Sequence, residues 1–354
     1  MRKFIVLYGA VAAFAGAGWL AVAADGTPVE ETAGVADGSK VIYGADGRRD
    51  LYQLKGPNGQ ILRNLAGSTV ALFHAARVKI KGDPKIATLG LAPYGTQRMC
   101  KDEPFYDQES GAFCSGSLVA PDIIMTAGHC ITSEEDCKNA KFVFGFAVTE
   151  KDRLPRTVPV SEVYGCAKLL GRDQVIRGAD WALIKLDRRV ENHAPLPISR
   201  TGEIKNGTKL FVIGHPSGLP TKIAGGASVR NANLVDYFVA NLDTYRGNSG
   251  SAVFNAVSGK IEGILVEGEQ DFEVRPDELC IQSKRCPEDG CRGEDVTKIS
   301  VVAGMIPMEG TVHASSARLQ ASVAQVPARF FTGMNSGRMS EAHIAQAADR
   351  PARW

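Results

Sequence analysis

Three short segments of the 354-residue chain each set a chemically able side chain among neighbours that leave it room to act. Thr126-Ala127-Gly128-His129-Cys130 follows the apolar Ile123-Ile124-Met125 and places a histidine at a strand end among small residues. A general base must approach its nucleophile closely while staying partly accessible, and small neighbours permit both. Taken alone, His129 serves equally as a satisfied structural histidine. In Gly247-Asn248-Ser249-Gly250-Ser251, a serine between glycines fits a tight turn that exposes its hydroxyl. The N–H groups of Gly247 and Ser249 can then converge on one point and hold an oxyanion; the same composition also suits an ordinary hairpin turn. Asp180 heads the apolar Asp180-Trp181-Ala182-Leu183-Ile184-Lys185-Leu186. From there it can accept the second N–H of His129, fixing the tautomer and stabilising the imidazolium. It also reads as a strand-edge turn residue. Asp173, in a polar loop, and Asp187, in Asp187-Arg188-Arg189, compete for the role.

Bringing residues so distant in sequence to one spot requires a scaffold of many chain reversals. Apolar runs at 69–80, 117–127, 141–148, 181–186, 209–213, 234–242 and 260–266 are bounded by Gly, Pro, Asn and Asp, and many carry Val, Ile or Phe at alternate positions. Such runs predict strands, and no stretch of this region sustains a helical period over three turns. The fold class is therefore all-β, a sandwich or barrels. A proline-containing connector at 190–197 separates two halves, 41–190 and 191–270, each about the size of one small barrel. Residues 271–305 are charged and Cys-rich, too polar for a core, and are expected to be stapled to the surface. Residues 306–354, rich in Ala, Ser, Gln and Arg, read as a flexible tail.

Met1-Arg2-Lys3 is basic, Phe4 to Ala24 carries no charge, and Ala21-Val22-Ala23 supplies the small residues that a signal peptidase needs. Residues 1–24 read as a secretory signal, with a retained membrane anchor as the alternative. The small, acidic stretch 25–40 reads as a pro-segment or linker. Loss of Arg2 and Lys3 with the signal removes the formal charge of +2. A balanced chain gives no support to a nucleic-acid or membrane-surface partner, which needs a cluster of uncompensated cations. All eight cysteines lie beyond the signal, an even number that in an exported chain reads as four disulfides. Cys280, Cys286 and Cys291 are close enough in sequence to suggest a metal site, but no nearby His or fourth Cys completes a zinc shell, so no metal is expected.

The order His129, Asp180, Ser249 in an exported all-β chain resembles the trypsin-like serine proteases. The likeness covers Ser115-Gly116-Ser117-Leu118-Val119, the His129, Asp180 and Ser249 segments, and Gly263-Ile264-Leu265-Val266. Within that family the chain looks most like the bacterial glutamyl-endopeptidase branch, on Gly247-Asn248-Ser249-Gly250-Ser251 and on Val41-Ile42-Tyr43-Gly44 with Asp46 and Arg48 downstream. The resemblance implies two packed six-stranded antiparallel β-barrels with a Cys-rich C-terminal extension and a site in the cleft between the barrels. It also implies a Cys114–Cys130 bridge, worth on the order of 3 kcal/mol in a chain-entropy model; Cys137–Cys166 is the first choice among the other pairings. The implied activity is a secreted or periplasmic serine endopeptidase acting on a polypeptide as a monomer, without a cofactor. A non-catalytic binding protein on the same fold and an esterase-type hydrolase are the rival readings.

Two departures matter. Asn248 stands where digestive members carry an aspartate that pairs with the freed amino terminus, and a neutral amide cannot make that ion pair. Val266 stands where many members have a serine that supports the triad aspartate, so Asp180 must find other donors. By resemblance the substrate pocket is walled by Asp243-Thr244 and by Val266-Glu267-Gly268. Asp243 falls at the depth where a trypsin-like pocket holds its carboxylate, and Asp243 and Glu267 would attract a basic side chain. Thr244 matches a glutamyl-endopeptidase position, but Leu265 replaces that branch's pocket histidine. A basic side chain at the cleaved bond is therefore the expectation, with Asp243 as an internal hydrogen-bonding residue the alternative. His215, in Gly214-His215-Pro216-Ser217-Gly218-Leu219-Pro220, reads as part of a surface loop, and His74 as a packed or solvent-facing residue of an apolar strand.

Overall fold

A strand buried on both faces reads as a continuous apolar run because its alternate side chains enter two different cores. That pattern organises this protein, whose computed structural model describes residues 41–80, 82, 85–200 and 203–308. The expected signal, the linker and the tail from residue 309 onward lie outside the described residues. In the first half, β1 (Thr69–His74), β2 (Cys114–Ala120), β3 (Ile123–Thr126), β4 (Ala140–Val143), β5 (Val163–Gln174) and β6 (Asp180–Leu186) close into a six-stranded antiparallel barrel in the ring order β4-β5-β6-β3-β2-β1. Leu118, Ile124, Ala182 and Ile184 fill its interior, whereas Val119, Ile123, Met125, Trp181 and Leu183 point outward into a second cluster.

That second cluster is the seam between barrels. In the other half, β7 (Lys209–Gly214), β8 (Lys222–Asn231), β9 (Tyr237–Ala240), β10 (Ala252–Asn255), β11 (Ile261–Glu267) and β12 (Glu294–Lys298) form a second ring, β7-β10-β11-β12-β9-β8, closed by β7–β8 pairing. Leu210, Val212, Val253, Leu265 and Val296 fill this barrel, and Phe211, Ile213, Phe254, Ile261 and Ile264 meet the first barrel in the seam. Burying each such side chain contributes about 1.5–3 kcal/mol, so the same period-two alternation stabilises both barrels and their union. The expected pair of six-stranded barrels is thus the observed architecture.

The structure departs from the sequence expectations in four places. Gly56–Ala66 is an α-helix of three turns, α1, where no such helix is expected. Only Leu62, Leu65 and Ala66 of its stripe are apolar and buried, too few to outweigh Gly, Asn and Pro in a periodicity reading, yet they seat the helix in the seam. The second barrel does not end near 270: β12, within the stretch expected to be a surface extension, runs between β11 and β9 as an interior strand of the ring. Its Glu294, Asp295 and Thr297 hide the pattern, and their burial is possible because each finds hydrogen-bond partners. The cysteine-rich residues between β11 and β12 are therefore an insertion into the barrel rather than an appendage after it. The N-terminal segment also belongs with the second half, since Arg48–Asp50 pairs with β8. Lastly, the loop at 214–220 is no surface loop, because His215, Pro216, Gly218, Leu219 and Pro220 are all buried. His74 is exposed and stacks on Phe113 at 4.5 Å.

All eight cysteines are paired: Cys100–Cys280, Cys114–Cys130, Cys137–Cys166 and Cys286–Cys291. Cys137–Cys166 fastens the short helix α2 (Glu134–Lys138) to β5. Replacing both cysteines by alanine should lower unfolding stability by about 2–4 kcal/mol in chemical denaturation.

Candidate active site

Asp180 is the first residue of β6 and is almost fully buried, so its carboxylate must be satisfied within the protein. The backbone N–H groups of Gly128 and His129 donate to Oδ1 at 2.5 and 3.1 Å, and Oδ2 accepts from Nδ1 of His129 at 2.8 Å. These two amides are the donors that Val266, lacking a hydroxyl, cannot provide. Thr297 of β12 anchors the Asp180 backbone by a reciprocal pair: the Asp180 N–H donates to Oγ1 at 2.9 Å and Oγ1–H donates to the Asp180 carbonyl at 3.0 Å. Gly128 is required by close approach, since a Cβ there would lie 2.0 Å from the Asp173 carbonyl oxygen. The competing acids are engaged elsewhere: Asp187 accepts from the Gly165 N–H and pairs with Arg188, and Asp173 caps the Gln174 N–H.

Ser249 precedes β10 on a turn between Gly247 and Gly250, both at positive φ (+88° and +86°), where a side chain would strain the backbone. A Cβ on Gly250 would meet Thr126 Oγ1 at 2.1 Å and the Ser115 carbonyl at 2.2 Å, so glycine lets this turn lie flush against the first barrel. Ser115, on β2, fastens it there. Its N–H donates to the Ser249 carbonyl at 2.9 Å, its hydroxyl donates to the Gly247 carbonyl at 2.7 Å and accepts from the His215 N–H at 2.9 Å, and its carbonyl accepts from Thr126 Oγ1 at 2.6 Å. The Ser249 carbonyl also lies 3.7 Å from Sγ of Cys130, the neighbour of His129. The serine-bearing turn is thereby held against the histidine-bearing turn, and the Ser249 hydroxyl donates to the Val266 carbonyl at 3.1 Å. His129 is about a quarter exposed on its side chain (29 %), whereas Asp180 is at 7 %, the accessibility expected of a base and of its buried orienter. The imidazole of His129 also neighbours the sulfurs of Cys114 and Cys130, but both sulfurs are committed to their disulfide and offer no thiolate to a metal.

The residues expected to wall the pocket divide. Asp243 does not face the cleft: its carboxylate accepts the N–H groups of Tyr43 and Gly47 at 2.8 and 2.7 Å and holds the N-terminal segment in place. Burial pushes its carboxyl up to about 8, with Asp46 adding to the rise. Arg48, fully buried, pairs with Asp46 at 2.6 Å and lies over the ring of Tyr245 at 4.3 Å. Asn248 turns inward, accepting from Ser251 through its backbone and its side chain. Thr244 donates its hydroxyl to Oε2 of Glu294 at 2.9 Å. Glu267 and Gly268 meet Arg292, which lies 3.9 Å from the Glu267 carboxylate and donates to the Gly268 carbonyl at 3.1 Å. Sequence reading gave no role to Ser115, Thr297 or Glu294. Ser115 stood in a recognised segment without a chemical signature, and the other two sit in a strand whose charges disguise it.

Residues 114–264 match the family model of the trypsin-like peptidase domain, a span that includes His129, Asp180 and Ser249. Over 88 residues the chain is 38% identical to human chymotrypsin-like elastase family member 3A, a segment that is 24% of this chain and 32% of that protein. It is 26% identical over 170 residues to the uncharacterized protein y4fB of Sinorhizobium fredii, covering 41% of this chain and 24% of the other. The chain thus spans about a third or less of the length of these relatives. The crystal structure of the inactive form of the Rv3671c protease aligns at 14% identity over 70% of this chain and 93% of its own, with a TM-score of 0.39, too low to bear on the comparison. The family match and the elastase relatives support a trypsin-like serine protease.

Two measurements test this geometry. Ser115→Ala leaves the Gly247 carbonyl and the His215 N–H unpaired in the seam and should cost about 1–3 kcal/mol of stability in urea denaturation. The buried His215 imidazole donates through Nδ1 to the Leu219 carbonyl, and burial pushes its pKa down to about 3 from 6.5. It stays neutral in the fold while the unfolded chain protonates, so its contribution to stability should fall as pH drops from about 6.5 toward 3. Urea midpoints between pH 7 and pH 4 should accordingly vary less in His215→Gln than in the parent.

Proposed function

We propose that the chain is an exported serine endopeptidase in which Ser249 is the nucleophile, His129 the general base and acid, and Asp180 the residue that orients the histidine. The observation that carries the proposal is the 2.8 Å contact between Nδ1 of His129 and the Asp180 carboxylate. With Nδ1–H donated to Asp180, the lone pair of the imidazole is on Nε2, the atom that must take the serine proton. The Asp180 carboxylate also accepts two backbone amides, which fix its orientation toward the imidazole.

In this reading Ser249 Oγ attacks the peptide carbonyl while Nε2 of His129 removes its proton. The N–H groups of Gly247 and Ser249 receive the charge that develops on the carbonyl oxygen, an arrangement that the positive φ of Gly247 supports. His129 then protonates the departing amine, and a water molecule, deprotonated by the same nitrogen, releases the acyl group from Ser249. Asn248 makes no charge pair with an amino terminus; the turn is instead held by Ser115, and the segment before it by Asp243 and the strand-like residues 41–50. Substrate recognition falls to Thr244, Val266, Glu267 and Gly268, with a preference for a basic residue at the cleaved bond. The four disulfides fit an extracellular or periplasmic protein, in keeping with the signal expected over residues 1–24, and no helix among the described residues is long and apolar enough to cross a membrane.

A fluorophosphonate should modify Ser249 stoichiometrically in the folded protein, and Ser249→Ala should abolish both labelling and peptide cleavage. His129→Ala should reduce kcat at least about a hundredfold, and Asp180→Asn by about 10⁴. A folded, unlabelled protein would indicate a binding module, and turnover of esters without peptides would indicate an esterase.

A further inference from the structure

The buried segment Gly214–Pro220 takes no part in the chemistry described so far, yet it lies against the serine-bearing turn. Its centre, Pro216–Gly218, is one 3₁₀ turn closed by the N–H groups of Gly218 and Leu219, which donate to the His215 and Pro216 carbonyls at 3.0 and 2.9 Å. Ser217, inside that turn, has φ +53° and ψ +21°, the left-handed region that a residue with a Cβ seldom adopts. The neighbouring Gly218 is pinned by the first half of the chain: its carbonyl accepts the N–H groups of Gly111 and Ala112 at 2.9 and 3.3 Å. The strained residue presents its N–H to the Arg246 carbonyl, at 2.6 Å. That carbonyl shares a peptide group with the Gly247 N–H. In a planar trans peptide the two point in opposite directions, so committing the carbonyl to the loop turns the Gly247 N–H away from it. The following peptide is fixed as well, because the Ser115 hydroxyl donates to the Gly247 carbonyl and accepts the His215 N–H. Gly247, at φ +88°, has no Cβ to restrict rotation of the peptides on either side, and a Cβ there would lie 2.7 Å from the His215 carbonyl oxygen and 2.8 Å from the Gly218 nitrogen. The orientation of its N–H is therefore set by the loop and not by the turn itself.

We infer that Ser217 is a positioning residue of this peptidase: through its left-handed backbone it holds the Arg246–Gly247 peptide with the Gly247 N–H turned toward the carbonyl oxygen of the bound substrate. The inference deepens the peptidase reading and rests on it. A half-turn of that one peptide would set the Arg246 carbonyl oxygen where the donor belongs, opposite the negative charge that builds up in the transition state. Such a loss falls on the chemical step and spares binding of the uncharged substrate carbonyl.

Ser217→Val and Ser217→Gly both delete the hydroxyl, and they differ in the φ they tolerate. A β-branched residue is an outlier at positive φ and abandons it, withdrawing the N–H from Arg246, whereas glycine adopts it freely. On a peptide that the parent cleaves, Ser217→Val should lose at least about a hundredfold in kcat with KM changed by no more than about threefold. Ser217→Gly should keep kcat within about threefold of the parent. Circular dichroism and urea denaturation establish that each variant is folded. A second pair leaves φ alone: Ser217→Ala is compared with the same protein carrying lactic acid at position 217, which keeps the methyl side chain and replaces the N–H by an ester oxygen. The ester should be slower in kcat by at least about tenfold, and this pair decides the matter if Ser217→Val does not fold. A folded Ser217→Val with the parent's kcat, a loss that falls on KM alone, or an ester as fast as Ser217→Ala would overturn the inference and leave the peptidase reading standing. A folded parent that neither reacts with a fluorophosphonate nor cleaves peptides would remove both.

Discussion

The cleft exists only because the two barrels are locked in register, and the lock is centred on one small buried residue. Ser115 belongs to the first barrel, yet three of its four hydrogen bonds go to the second: to both carbonyls of the Gly247–Ser249 turn and to the His215 amide. A hydroxyl is the right group for this place because it donates and accepts at once. Thr297 does the complementary task from the second barrel, clasping the backbone of Asp180. Apolar packing in the seam supplies adhesion but no register, since dispersion and the hydrophobic effect are non-directional. These few oriented polar contacts supply the register between the turn that carries Ser249 and the strand that begins at Asp180.

Two buried aspartates share one device, a carboxylate fixed by a pair of backbone amides. Each accepts a pair of backbone amides, Asp180 from Gly128 and His129 and Asp243 from Tyr43 and Gly47. Asp180 has in addition the imidazole of His129. Asp243 lies deeper, beside the like-charged Asp46, and its carboxyl is held toward the neutral form. Their partners differ: one carboxylate meets a side chain of the neighbouring turn, and the other pegs the N-terminal segment.

Much of this was legible in the residues. The apolar runs gave the strands because burial on both faces leaves a continuous hydrophobic signature, and His129, Asp180 and Ser249 stood out by their small or apolar flanks. What escaped was structure specified by tertiary context. The helix α1 shows too thin a stripe for its period to register, while β12 consists largely of residues that avoid cores unless a partner awaits them. Asp243 had the spacing of a pocket anion, and spacing along the chain carries no information about which way a side chain turns once a distant segment, here Tyr43 and Gly47, presents its amides. The Gly214–Pro220 segment has the composition of a loop and is a loop, but one pressed into the interior by the other barrel.

The late position of β12 has a bearing on biogenesis. Until residue 298 has left the synthesis machinery, the second ring lacks a member from its middle, and β9 and β11 present open edges that invite pairing with other chains. The threonine that clasps Asp180 arrives in that same strand. Completion of the second ring and the clasp on the Asp180 backbone therefore both wait for the same late strand.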